Sequence, residues 1–369
     1  MIFVGGFRSH LPQYDFSRES GDQWLAQSYQ KFQKKQALTA ADYERLIKKV
    51  SGKRLSLGGR RTYIADFVQG LNEGKLLSSA NEMSTTAKRM QVYGQITDKI
   101  MDDLFTGGTQ AEEMIHVTCT GYVSPTPVQK MLQRRNLHHV RTLNAYHMGC
   151  YAAFPAFRMA SSALLNERTV SKTTQVDVVH TELCTLHFDP VDPGLEKMVI
   201  QSLFADGSIL YRLNRVQEGA AFELLQVYEE LIPQSENAMS WSVSDFGFFM
   251  SLSREVPELI ESSTLQTLNK FCRTRGYDLG ELLAKAIWAI HPGGPKIIDS
   301  IQKLLRLSEE QTFHSHRILN ERGNMSSATL PHIWQAIAED AGVAPGTPVV
   351  SLAFGPGLTL CMSLMRKVG

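Results

Sequence analysis

The chain has 369 residues, with 38 Lys and Arg against 37 Asp and Glu and a formal net charge of +1 with histidine neutral. That balance excludes a partner chosen by bulk charge, such as nucleic acid or an anionic membrane surface, and no block of like charge forms a tail. Hydrophobic residues at 43% and charged residues at 20% are ordinary globular values, and the length exceeds one core, so two domains or two halves sharing an interface are expected.

In chain order, the opening MIFVGGFRSHLPQYDF holds too short an apolar run for a signal peptide. No uninterrupted apolar segment approaches the roughly 20 residues that span a bilayer. Residues 37–49 (ALTAADYERLIKK) predict a helix with Thr39 as its cap, and 112–120 (EEMIHVTCT) predict a strand. A strand-like segment at 138–147 (HHVRTLNAYH) leads into HMGCYAAFPAFRMA, whose second half continues as a helix. TQVDVVHTELC at 174–184 is another strand candidate, AIWAIH ends an apolar strand at Pro-Gly-Gly-Pro, and PVVSLAFGPG at 348–357 runs into a glycine-proline turn. Strand, turn, helix and strand recur, which predicts an α/β protein. The polar stretch YRLNRVQEGA divides it into residues 1–215 and 216–369.

Five cysteines, Cys119, Cys150, Cys184, Cys272 and Cys361, are odd in number and irregular in spacing, which argues against a disulfide framework and for a reducing, cytoplasmic compartment. Cys150 falls at a strand-to-helix turn, where backbone N–H groups and the helix dipole favour a thiolate, and Gly149 permits a close-packed backbone. From context alone two readings stand: a small buried filler, or a nucleophile. His291, at a strand end beside a rigid turn, is placed to face a cavity. Asn324 is either a plain helix cap or an oriented donor.

Other clusters carry less. His180 and Cys184 share a strand face while His187 points to the other, so no metal site is expected. The histidines of HSHRILN diverge on a helix, and HPGGPK lacks the spacing of a phosphate loop. Lys53, Arg54, Arg60 and Arg61 are too few for nucleic acid in a near-neutral chain and would otherwise form a solvated face.

HMGC with Cys150, IHPGGP with His291, RGNMSSAT with Asn324 and AFGPGLT at 353–359 resemble, in that order, the motifs of type III polyketide synthases, the chalcone-synthase-like branch of the thiolase superfamily. The intervals of 141 and 33 residues between the three polar residues are similar to the family's, and the resemblance runs from about Val117 to the C-terminus. It implies a thiolase fold, five layers αβαβα built from two similar halves, in a homodimer. Cys150 would accept the acyl group as a thiolate paired with imidazolium His291. His291 and Asn324 would stabilise the enolate formed as malonyl-CoA loses carbon dioxide, with no metal or redox cofactor. Phe204 falls where the family places an aromatic between substrate tunnel and cavity, Ser326 matches a cavity serine, and Gly355, Pro356 and Gly357 match the loop that shapes the cavity floor. Lys53, Arg54, Arg60 and Arg61 lie in a segment similar to the one that binds the coenzyme A phosphates.

The sequence also departs from the family. Phe154 and Pro155 replace small residues after the cysteine, and Pro155 is expected to kink the helix near its start. His187 and Trp241 stand where plant members carry threonine and glycine, so an aliphatic acyl starter is expected rather than coumaroyl-CoA. The resemblance implies iterative decarboxylative condensation of an acyl-CoA with malonyl-CoA, and cyclisation to a pyrone or resorcinol-type ring. The alternatives are a single-condensation ketosynthase of the 3-oxoacyl-ACP synthase III type, with an acyl carrier protein as partner, and a non-catalytic dimer that binds acyl chains.

Overall fold

The β-branched and apolar runs of the sequence become strands because their alternating side chains can be buried on a pleated surface. In the computed structural model, which describes residues 1–32, 39–51, 58–69, 76, 84–166, 173–189, 191–192 and 194–369, they are β1 (Ile2–His10), β2 (Tyr14–Phe16), β3 (Arg60–Thr62), β4 (Glu113–Thr118), β5 (Arg141–Tyr146), β6 (Gln175–Leu183), β7 (Asp206–Asn214), β8 (Ala220–Leu231), β9 (Met239–Ser244), β10 (Gly247–Leu252), β11 (Ile287–Ile290), β12 (Pro348–Gly355) and β13 (Thr359–Lys367). The helix predicted over residues 37–49 is Ala40–Ser51, and Thr39 caps it by accepting the Asp42 N–H at 3.2 Å.

Nine strands form one hydrogen-bonded series in the order β11-β12-β13-β8-β1-β7-β6-β4-β5. Strands before residue 215 occupy one end and strands after it the other. They join where Ile2 to Gly5 of β1 pair with Leu224 to Ala220 of β8. β4 lies parallel to β5 and β6, and β11 parallel to β12, while the remaining neighbours are antiparallel.

Two helices lie between these ends. Ala153–Leu165 touches β4, β6 and β7 on one side and β8 and β13 on the other, and Thr329–Glu339 touches β7 and β11. Their faces are buried, and Phe157 stacks on Trp334 with ring centroids 4.6 Å apart. Such a buried aromatic contributes about 2–3 kcal/mol through removal of its surface from water. On the outside, Thr86–Leu104 covers β1 and β7, while Val256–Arg275 and Leu279–Lys285 cover β13 and β12. The sequence of layers is αβαβα, the thiolase fold. Among the described residues no helix is long and apolar enough to cross a membrane.

Pro155 does not interrupt its helix. It sits in the first turn of Ala153–Leu165, where its missing N–H had no intrahelical acceptor to lose.

Candidate active site

Cys150 lies in the turn between β5 and the Ala153–Leu165 helix, 6% exposed, at the end of the helix where backbone N–H groups converge. Gly149 before it has φ +85°, and a Cβ there would come within 2.5 Å of Pro356 Cδ. Only glycine lets the two turns meet so closely. The AFGPG turn presses back: a Cβ on Gly355 would fall 2.3 Å from the Tyr151 ring. Gly355 ends β12, and Pro356 and Gly357 carry the chain toward β13.

Asn324 is held in the backbone by an N–H donated to Leu203 O (2.9 Å) and a carbonyl that accepts the Ala205 N–H (2.9 Å), an arrangement that pairs Asn324 with Phe204. Its side-chain Oδ1 accepts from Ser326 N–H at 2.9 Å and from the Thr329 hydroxyl at 3.4 Å. The amide plane is therefore fixed, with the NH2 end turned away from its own loop. Ser326 Oγ lies 3.8 Å from Cys150 Sγ, so the asparagine loop and the cysteine turn meet directly.

His291 leaves the end of β11, its N–H donated to Leu352 O of β12 at 2.8 Å. Gly294, in the same turn, packs against Leu203, the residue whose carbonyl anchors Asn324. The imidazole is 2% exposed, and neither ring nitrogen has a hydrogen-bond partner among the described residues. Buried polar atoms are almost always paired, so an unpartnered imidazole of this kind is available to a ligand.

Burial favours the neutral forms here, pushing the Cys150 thiol up to about 12 and the His291 imidazole down to about 3. The sequence leads one to expect a resting thiolate–imidazolium pair, and the burial of each group works against it. With a thiol that ionises well above neutrality, the thiolate fraction rises tenfold per pH unit. The rate of Cys150 alkylation by iodoacetamide is therefore expected to climb steadily from pH 6.5 to 9, measured by peptide mass spectrometry. A plateau across that range would show a preformed ion pair.

Phe204, His187 and Trp241 line one cavity of about 30 Å³, together with Cys184, Phe248 and Met250. His187 Nε2–H donates to Thr120 O (2.7 Å) and its Nδ1 accepts the Phe248 N–H (3.0 Å), with the ring stacked on Phe248 at 4.4 Å. Trp241 Nε1–H donates to Cys119 O at 2.7 Å. Both bulky groups are hydrogen-bonded in place and nearly fill the space.

A sequence model of the C-terminal domain of chalcone and stilbene synthases matches residues 223–369. The chain is 26% identical over 270 residues to 1,3,6,8-tetrahydroxynaphthalene synthase of Streptomyces coelicolor, covering 73% of this chain and 70% of that one. The C-terminal part of the chain thus matches the chalcone and stilbene synthases, and the chain as a whole is similar to type III polyketide synthases. It is also 29% identical over 270 residues to Probable polyketide synthase 1 of Dictyostelium discoideum, a match that covers 71% of this chain and spans 8% of that longer protein. The solved structure of PKS-I from the brown alga Ectocarpus siliculosus shares the fold with a TM-score of 0.85 at 19% identity, over 100% of this chain and 99% of that one. The Streptomyces coelicolor enzyme superposes with a TM-score of 0.81 at 20% identity, over 100% and 99%. These homologues are polyketide synthases, and the likeness marks the chain as an enzyme of the acyltransferase class.

The basic segment divides. Lys53 and Arg54 lie outside the described residues. Arg60 is turned inward: its guanidinium donates to Gln201 O (2.6 Å) and Phe204 O (3.2 Å) and lies over the Phe16 ring, where it cannot meet a phosphate in solvent. A guanidinium satisfies the carbonyls that end a helix, which a reading by charge alone overlooks. Arg61 stays at the surface, paired with Asp15 at 2.7 Å.

Sequence reasoning passed over Glu182 and Cys119. Glu182 is wholly buried on β6 and accepts the Cys119 N–H at 3.0 and 3.1 Å, the Thr120 hydroxyl at 2.8 Å, and the Ser327 hydroxyl. Cys119 Sγ accepts the Gly149 N–H at 3.0 Å. The available signal was a carboxylate within a strand whose every residue after the first is buried, VDVVHTEL.

Proposed function

We propose that this polyketide synthase condenses a short aliphatic acyl-CoA starter with malonyl-CoA, repeats the extension, and releases a pyrone or resorcinol-type ring. The observation that supports this reading is the meeting of the Cys150 turn and the Asn324 loop at Ser326, together with a buried His291 imidazole that has no hydrogen-bond partner among the described residues.

As Cys150 Sγ attacks the starter thioester, His291 takes its proton; the departing coenzyme A thiolate is protonated and leaves an acyl-Cys150. Malonyl-CoA then loses carbon dioxide. The electron pair of the broken bond becomes an enolate, whose oxygen accepts from a His291 N–H and the Asn324 NH2. Its carbon attacks the acyl carbonyl, frees Cys150 Sγ and leaves a chain two carbons longer on coenzyme A. Decarboxylation supplies the carbanion, so neither metal nor redox cofactor is required. The small cavity beside Phe204 supports a short starter and few extensions. His187→Ala removes the stacked ring and is expected to raise kcat/KM for longer acyl-CoA starters about tenfold, read by competition between starters of different length.

We also propose a homodimer formed along β5, an outer strand of the series whose Leu143 is exposed, with Tyr122 exposed nearby. A groove of about 830 Å³ lined by Leu143, Tyr146, Pro155 and Met159 runs beside that strand. The five free cysteines fit a cytoplasmic setting, and Arg61 is the described basic residue left to meet coenzyme A.

The test is the product mass after incubation with a short acyl-CoA and isotopically labelled malonyl-CoA. Several labelled two-carbon units in a cyclised product are expected. A single unit, taken only from carrier-protein donors, would overturn the iterative reading in favour of a single-condensation ketosynthase.

A further inference from the structure

Glu182 has no part in the chemistry set out above, yet it is the most heavily bonded carboxylate near it. Through the Cys119 N–H it holds the segment whose Sγ accepts the Gly149 N–H, one residue before the nucleophile. Through the Ser327 hydroxyl it holds the loop that bears Asn324. Thr120 tightens the first contact by donating its hydroxyl to Glu182 (2.8 Å) while accepting the Leu183 N–H (2.9 Å).

The donors fall in one order. Ser327 gives its proton to Glu182, so its oxygen accepts from His180 Nδ1–H (3.0 Å), and His180 Nε2 accepts the Tyr211 hydroxyl (3.2 Å). All four side chains are fully buried. A hydrogen-bonded chain of this kind in a low-dielectric interior resists displacement more than its separate bonds would.

We propose that Glu182 is a positioning residue that locks the Cys150 turn and the Asn324 loop to each other and to β6, through Cys119 on one side and Ser327 on the other. The inference rests on the condensing reaction proposed above. It explains the presence of a buried carboxylate that has no cationic partner among the described residues. Burial pushes the Glu182 carboxyl up to about 7, against the Ser327, Cys119 and Thr120 hydrogen bonds, and its charge also raises Cys150. The titratable groups that feel it are Cys119, Cys150, Cys184 and Tyr93, with His180 reached through Ser327.

Three variants of the full chain test it: Glu182→Gln, Glu182→Ala and Ser327→Ala. Each is assayed for turnover, for malonyl-CoA decarboxylation, and for iodoacetamide labelling of Cys150 at about pH 8, where the thiolate is the reacting species. Cys361, buried on β13, reports loss of fold if it becomes labelled. Glu182→Ala is expected to lower kcat about 30-fold with the malonyl-CoA KM within about twofold, because misplacement of reacting groups costs rate more than binding. Glu182→Gln keeps an acceptor for the Cys119 N–H and rescues most of that turnover, while loss of the charge speeds Cys150 labelling about threefold. Ser327→Ala is expected to slow decarboxylation about tenfold and leave Cys150 labelling at the wild-type rate, since only one arm of the lock is cut.

Glu182→Ala at wild-type turnover with Cys361 unlabelled would overturn the inference. So would equal losses in all three variants with Cys361 labelled, which marks a structural role alone. Labelling needs no substrate, so the lock is tested even if the wild-type chain makes no product, and failure of the condensing reading is told apart from failure of this one.

Discussion

Cys150→Ala is expected to abolish polyketide formation, a loss of about 10⁴-fold or more, because the alanine has no atom to carry the growing acyl chain. The effect is covalent rather than packing-based. Cys150 fills a site closed by Gly149, Pro356 and Ser326, and the smaller side chain leaves those contacts in place. Wild-type protein incubated with an acyl-CoA alone should gain the mass of one acyl group on the Cys150 peptide, and the variant should gain none. An acylated variant, or one that still makes product, would show that another thiol carries the chain. Cys119 and Cys184 are the first to check, since both are buried and bear electrostatically on each other and on Cys150.

The second large effect separates the two halves of the reaction. Asn324→Ala removes a donor from the enolate oxygen and is expected to cut malonyl-CoA decarboxylation and condensation about 10²–10³-fold, the usual cost of losing one preorganised donor. Acylation of Cys150 should stay close to the wild-type rate, because the Asn324 amide is fixed to its own loop by Ser326 and Thr329 rather than to the thiol. His291→Ala should lose both steps, since in the proposed reaction the one imidazole takes the thiol proton and then donates to the enolate. Quenched-flow mass spectrometry of the acyl-enzyme, alongside release of labelled carbon dioxide, reads the steps separately. Equal losses of acylation and decarboxylation in Asn324→Ala would contradict the division of labour.

Much of the fold is legible locally. Glu113–Thr118, Gln175–Leu183 and Pro348–Gly355 appear within the runs of β-branched and apolar residues that predict them, and the Thr39 cap sits where its helix begins. Cys150, His291 and Asn324 are likewise visible, each in its own short motif beside glycine or proline. Those motifs are local because each polar residue sits at a sharp turn, and turns are set by a few neighbouring residues.

What the sequence by itself determined, then, is several strands, a capped helix, and the likeness to type III polyketide synthases that singles out three polar residues as candidates. The tertiary structure alone decided how they are used. Arg60 looks like a surface cation until the end of the helix Leu195–Leu203 brings Gln201 and Phe204 carbonyls to it. Pro155 looks like a helix breaker until it falls in the first turn. The protonation of Cys150 and His291 follows from how completely residues distant in the chain close over them, and Glu182 acquires its partners from two loops more than sixty residues away on one side and more than a hundred on the other. Hydrogen bonding and desolvation depend on which groups meet in space, and no pattern along the chain encodes that meeting directly.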